Sequence, residues 1–156
     1  MKITIRKATE ADINTIQTFG SKLLNYEREN YDPSLDGDWA FTDQAKAIYL
    51  KAIQEQYVII ASIDDAPAGF LIGNIIQPKP QDARKIKQAN LQNVYVDESQ
   101  RRSGIGKQLV DTFKKYCVKE GVNRLNVSVL AANKTALSLY EKTGFRPRSI
   151  NLSQEL

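Results

Sequence analysis

The chain contains no histidine. That excludes a Ser-His-Asp or Cys-His catalytic arrangement and leaves Tyr, Lys, Asp and Glu as the side chains able to move protons. Cysteine occurs once, at Cys117, so no disulfide framework and no Cys/His metal site can form, and no resident metal is expected. Cys117 falls on an apolar helical stripe, which marks it for packing rather than for nucleophilic attack. No apolar run approaches membrane-spanning length, and Met1-Lys-Ile-Thr-Ile-Arg-Lys alternates like a strand where a signal peptide would have an apolar centre. A soluble, cytoplasmic protein without membrane attachment is expected. Repeats, linkers and low-complexity tracts are absent as well, and 156 residues supply one substantial core, so a single domain over residues 1–156 is expected.

What is present is an uneven charge distribution. The net charge is +4, yet Leu23 to Ala45 holds Glu27, Glu29, Asp32, Asp36, Asp38 and Asp43 against Arg28 alone, a local balance of −5 that leaves +9 for the rest. A positive body with one acidic segment suits an anionic ligand at one place and a cationic one at another. The basic residues between Lys79 and Lys87 are not accompanied by a recognition-helix or RNA-stacking motif, so nucleic acid is not the expected partner.

Taken in order, Lys2 to Lys7 alternates as a first strand, and Thr9 with Asp12 forms a capping-box-like start to a helix carrying Ile13, Ile16, Phe19, Leu23 and Leu24. Tyr26 to Asp38 loses the helical period and contains Pro33 and Gly37, which reads as a loop. Thr42 can cap a second helix that buries Ala45, Ile48, Tyr49, Ala52 and Ile53. Tyr57 to Ile63 and Gly69 to Ile76 are apolar strands joined by an antiparallel turn at Asp64-Asp65-Ala66-Pro67. Gln77 to Asn90, with Pro78, Pro80, Lys79, Arg84, Lys85 and Lys87, reads as a mobile basic loop. Leu91 to Val96 is the fourth strand and Arg124 to Leu130 the fifth. The helix from Lys107 to Glu120 crosses between them, which requires the two strands to be parallel. Asn133 caps a last helix that stops at Gly144, and the tail from Phe145 has room for one or two short strands.

The stretch Leu91 to Gly121 organises the rest: a strand, a basic glycine turn, and a helix beginning at once. Unpaired N–H groups and the positive end of the helix dipole converge there on one spot, which suits a phosphate. A Walker loop requires a glycine five residues before Gly106-Lys107 and a Ser or Thr after it, but Arg101 and Gln108 stand there. A dinucleotide fingerprint requires three spaced glycines near the start of a large parallel sheet, and only Gly104 and Gly106 are available. What remains is Arg101-Arg102-Ser103-Gly104-Ile105-Gly106 after an apolar strand. This hexapeptide resembles the acetyl-CoA motif of the GNAT superfamily of N-acetyltransferases: a Gln or Arg, two residues, Gly, one residue, then Gly or Ala. LQNVYVDES resembles the family's fourth strand and NKTALSLYEKTGF its Asn, Tyr and Gly-Phe signature, so the likeness spans essentially the whole chain.

The resemblance implies an α+β GNAT-like fold. Its central sheet would be mixed and mostly antiparallel, with six to seven strands, strands four and five parallel, and about four flanking helices. It implies acetyl transfer from acetyl-CoA to a primary amine by direct attack in a ternary complex, with CoA as product. The backbone of Val94, Tyr95 and Val96 would pair with the pantetheine arm. The turn Arg101, Arg102, Ser103, Gly104, Ile105, Gly106 and Lys107 would hold the pyrophosphate, and Asn133 would bond the cofactor arm or a water. Tyr140 matches the family's general acid. Many relatives carry a Glu on the fourth strand where this chain has Gln92, and Asn93 also replaces a frequent acid. Ser128 stands where ribosomal N-terminal acetyltransferases place a Glu. The proton route therefore stays open between ordered water and an acid of the Glu27 to Asp38 segment. Tyr26, Glu27, Tyr31, Asp32 and Gln92 are the candidate acceptor-binding residues, their acidic and aromatic character suiting a polyamine, amino sugar or lysine-like amine. A homodimer follows the family's habit. The alternative is a non-catalytic acyl-CoA sensor or interaction module that keeps the cleft and has lost the base.

Overall fold

The structure, a computed structural model, describes residues 1–81 and 85–156. Five strands form one sheet in the order β1 (Ile3–Lys7), β2 (Tyr57–Ile63), β3 (Ala66–Ile76), β4 (Gln88–Val96) and β5 (Arg124–Val127). Successive pairs are antiparallel except β4 and β5, which run parallel as the crossover requires. Helices α1 (Ile13–Asn30) and α2 (Asp43–Glu55) cover one face, while α3 (Ile105–Lys119) and α4 (Lys134–Lys142) lie on the other. Coverage on both faces explains why β2 is one continuous apolar run, YVIIASI, rather than an alternating one. Val58 and Ile60 pack toward Ile16, Phe19 and Tyr49, whereas Ile59 and Ala61 pack toward Leu109, Val110 and Phe113. Gly73 of β3 brings the Phe113 ring close, since a Cβ there would lie 2.2 Å from it.

The fold class matches the sequence reading, with differences in extent. The described residues hold five strands rather than six to seven, and the tail from Phe145 contributes none. α1 continues through Asn30, so Tyr26, Glu27 and Glu29 sit on its last turns and not in a loop. Their polar, aromatic side chains hide the helical period, yet the backbone simply continues from a helix already anchored by Ile16 and Phe19. Ile48 is half exposed and does not join the buried side of α2. The β2–β3 hairpin turns on Asp64 and Asp65, both left-handed (φ 46° and 69°), and β3 starts at once with Ala66. That is the primed two-residue geometry favoured by strand twist. Of the stretch expected to be a mobile loop, Gln88 to Asn90 belong to β4 and Lys87 is tied to Asn123 and to the Glu120 carbonyl; Arg84 lies outside the described residues. Gln88 and Asn90 are polar and flank the buried Ala89, and pairing on both sides makes the three a strand.

One polar node fixes the start of the first helix. The Asp12 carboxylate accepts both guanidinium nitrogens of Arg6 at 2.8 and 2.7 Å and the Thr9 N–H at 2.8 Å. The Arg6 hydrogen bonds chiefly, with the Thr9 N–H and the Arg6 charge adding to them, hold its pKa at about 2.

Candidate active site

The site begins with backbone. β5 pairs with β4 only from Gln88↔Arg124 to Leu91↔Val127, whereas β4 continues to Val96 and stays paired with β3 as far as Gly69. The β5 side of β4 from Gln92 to Val96 therefore has no strand partner among the described residues. The register against β3 slips at the same place: Ile72 faces Asn93, Gly73 faces Leu91, and Gln92 is the extra residue of a bulge. A bulge bends and twists its strand, and here it coincides with the point where β5, expected to run to Leu130, leaves the ladder. The two strands splay into a V.

The open end of the V meets the glycine turn. Asp97 accepts the Ser99 N–H at 3.2 Å and the Lys22 ammonium at 2.6 Å, and the Lys22 hydrogen bond is the main cause of its lowered pKa. The chain then passes Arg102 (φ 64°) and Gly104 (φ 85°), both left-handed, and enters α3. The first bond of that helix runs from the Gln108 N–H to the Gly104 carbonyl at 3.0 Å, so the N–H groups of Ile105, Gly106 and Lys107 have no intrahelical partner. Gly106 has a different reason from Gly104: a Cβ there would stand 3.4 Å from Leu139 and 3.7 Å from Val96, where α3, α4 and β4 meet.

α4 closes the far wall. Asn133, buried at 8% exposure, caps the helix by accepting the Ala136 N–H at 3.0 Å, so its side-chain oxygen is already engaged and its amide nitrogen is the group left to donate. Two turns on, Tyr140 is 9% exposed and stands edge-on to Phe145 with ring centroids 5.5 Å apart. Its hydroxyl makes no hydrogen bond among the described residues. Burial first, and the Glu27 charge second, push the phenol up to about 12, so it is neutral throughout the physiological range.

The last turns of α1 form the remaining side. Tyr26 and Glu27 line the cleft; the Tyr26 and Tyr31 hydroxyls are 3.2 Å apart, and the Arg101 guanidinium lies over the Tyr26 ring at 4.3 Å. Arg101 is further engaged with the Val96 carbonyl at 3.4 Å and Glu98 at 3.6 Å, so its side chain turns toward the α1 side of the cleft. Glu27 is half-buried, and burial followed by the Asp32 charge raises its pKa.

Tyr26, Glu27, Gln92, Val94, Val96, Arg101, Arg102, Gly104 to Lys107, Asn133 and Tyr140 thus line one open cleft of about 2310 Å³, larger than an ordinary small-molecule pocket. Tyr95 lends it only backbone, because its ring packs on the opposite face against Phe19 at 5.5 Å. Ser103 turns its hydroxyl to the Gln100 carbonyl, and the Lys107 ammonium pairs with Asp111. Tyr31 reaches the site only through Tyr26, and Asp32 accepts the Ser34 N–H and hydroxyl at 3.0 and 2.6 Å, which makes it a turn-former. Apart from Ser128, the sequence reading did not single out the opposite wall, Val127 to Leu130, nor Arg146 and Arg148 of the tail, which also border the cleft. Alternation in β5 could have flagged the first group; nothing local marks the second.

Comparison with known proteins agrees with this geometry. Residues 21–145 match the model of the Acetyltransferase (GNAT) family. The chain is 31% identical over 107 residues to GCN5-related N-acetyltransferase 7, chloroplastic, of Arabidopsis thaliana, covering 68% of this chain and 39% of that protein. It is 35% identical over 65 residues to the ribosomal protein bS18-alanine N-acetyltransferase of Escherichia coli K12, covering 42% and 44%. It spans about two fifths of the length of these two relatives. The crystal structure of the tetramutant BH1408 protein from Bacillus halodurans superposes with a TM-score of 0.87 at 18% identity, over 98% of this chain and 99% of that one, which establishes a common fold. A splayed parallel strand pair, a glycine turn opening a helix, and a family match over most of the sequence lead to one conclusion: the chain belongs to the GNAT acetyltransferase family.

Proposed function

We propose that this chain transfers an acetyl group from acetyl-CoA to a primary amine, and that the preferred acceptors are cationic. The observation that carries the reading is the unpartnered edge of β4 from Gln92 to Val96 opening into the same cleft as the free N–H groups of α3 and the Tyr140 hydroxyl. An extended arm with amide groups fits the first, as an added strand would, and a pyrophosphate fits the second. A cleft of about 2310 Å³ has room for both together with an acceptor.

Acetyl-CoA supplies the acyl group as a thioester whose departing sulfur requires a proton. Val94 and Val96 hold the arm through their backbone groups. Arg102, Gly104, Ile105, Gly106 and Lys107 surround the pyrophosphate, chiefly by main-chain N–H, and the Asn133 amide donates to the arm. Tyr140, neutral and part of the cleft lining, gives its proton to the sulfur. Cys117 takes no part: it is 3% exposed, and burial pushes its thiol up to about 11, which disfavours an acyl-enzyme. Tyr26, Glu27 and Gln92 border the acceptor's place, an acidic and aromatic surface that suits an ammonium.

The test is release of free CoA thiol with a panel of amines at low and high salt. Polyamines, amino sugars or lysine-like amines should be used best, with kcat/KM falling as salt rises. Neutral or acidic acceptors used best would overturn the acceptor class. Tight CoA binding with no thiol release from any amine would point to the binding module instead.

A further inference from the structure

Gln92 and Asn93 of β4 and Ser128, just after β5, line the cleft, and none of them is a carboxylate. The amine still has to lose a proton before it can attack, because a primary ammonium with a pKa of about 10 has no free lone pair at neutral pH. We propose that Glu27, on the last turn of α1, is the group that takes this proton, opposite Tyr140 across the acceptor's end of the cleft. The inference rests on the transfer reading above.

Three observations carry it. Glu27 lies on the cleft wall together with Leu23, one turn earlier on the same helix face, and with Gln92 and Tyr140 from other elements. Its carboxylate is half-buried and makes no hydrogen bond or ion pair among the described residues. Such a group costs stability where it stands unless a partner arrives. And it is near enough to Tyr140 to act on that phenol through its charge. The other charged and titratable groups around it do not neutralise it. Asp32 repels it and raises its pKa further, Tyr26 and Tyr31 share a hydroxyl contact with each other, and Arg101 is turned onto the Tyr26 ring, the Val96 carbonyl and Glu98. The remaining acids of the segment do not line the cleft: Asp32 organises the Ser34 turn, Asp36 accepts the Asp38 N–H, and Glu29 and Asp38 are exposed away from it.

The step balances simply. One N–H bond of the acceptor ammonium breaks and one O–H bond forms on Glu27, leaving a neutral amine. As the C–N bond forms and the C–S bond breaks, Tyr140 gives its proton to the departing sulfur, and the second proton lost by the nitrogen restores the Tyr140 phenol. Glu27 returns its own proton to solvent. The two groups help each other: a protonated Glu27 no longer penalises the Tyr140 phenolate, so Tyr140 becomes a better acid once the amine has been deprotonated.

The experiment compares wild type with Glu27→Gln across the range from about pH 4 to about pH 10, using the amine that wild type acetylates fastest, alongside carbon-13 titration of the Glu27 carboxyl in unliganded wild type. Wild-type kcat/KM should fall as pH drops through a Glu27 midpoint that the titration finds above the ordinary range near 4.3. Glu27→Gln should be slower by about 10²- to 10³-fold at pH 7. Its deficit should shrink by about tenfold per pH unit as free amine accumulates, becoming a few-fold near pH 10. An equal loss at every pH, no loss at all, or an ordinary midpoint would overturn the assignment while leaving the transfer reading intact. Absence of thiol release by wild type with every amine would instead remove the transfer reading, and Glu27's role with it.

Discussion

Tyr140→Phe removes a single oxygen from the centre of the site and separates chemistry from folding. The ring is 9% exposed and packs edge-on to Phe145 at 5.5 Å, contacts that phenylalanine keeps. The lost hydroxyl has no hydrogen-bond partner among the described residues, so no buried group is orphaned and stability should change by less than about 1 kcal/mol. For a chain of this size that is at most a shift of about 4 °C in Tm. Turnover is a different matter. Loss of a general acid removes about 10²- to 10⁴-fold, equivalent to about 3 to 5 kcal/mol in the barrier. The departing sulfur, with a reference pKa of about 8.5, would then have to leave unprotonated or find water. The CoA dissociation constant should stay within about twofold, because the phenol contributes no contact to the turn proposed to hold the pyrophosphate. Since Tyr140 is pushed up to about 12, wild-type activity should show no tyrosine limb below about pH 10. Steady-state thiol release and calorimetric CoA titration on the same preparation read both quantities. A kcat within threefold of wild type, in a variant that binds CoA normally, would remove Tyr140 from the mechanism.

Two further perturbations test the frame and the cofactor seat. Asp12→Asn should destabilise the protein by about 1 to 2 kcal/mol at pH 7, a figure discounted because the Arg6 side chain is half exposed. The folded pKa of about 2 lies below the unfolded value near 4, so this stability is present above pH 4 and lost as pH falls toward 2. Thermal melts of wild type and variant should therefore converge at pH 2, and a constant difference would refute the linkage. Gly104→Ala meets no atom within 4 Å but forces an L-residue to φ 85°, a cost of about 1 kcal/mol. The fold should survive with CoA bound about fivefold more weakly, and unchanged affinity by calorimetry would show that the turn does not hold the ligand.

Several elements could be read from local pattern because their cause is local. Ile16 and Phe19 set the face of α1, Leu109, Val110 and Phe113 that of α3, and Thr42 and Asn133 accept the N–H groups expected of helix caps. The parallel pairing of β4 and β5 followed from chain length and the crossover helix alone. Other features escaped because no local signal encodes them. Gln88 to Asn90 are strand only because β3 and β5 flank them, and α1 passes through Tyr26 and Glu27 although their side chains face a cleft instead of the core. Ile48, apolar and correctly spaced, stays half exposed because no described element covers that part of α2.

The glycine turn and its helix were determined by sequence: Gly104 is where the chain must turn left-handed, and the N–H groups that follow are unpaired in any helix that begins there. The depth of the site was not. β5 leaves the ladder after Val127, beside a bulge at Gln92, and only that divergence frees the edge of β4. The charge relation between Glu27 and Tyr140, 113 positions apart in sequence, exists only because α1 and α4 come to the same cleft from opposite faces of the sheet. Pairing register and the approach of distant helices are set by packing across the whole sheet, so a pattern confined to neighbouring residues carries no record of them.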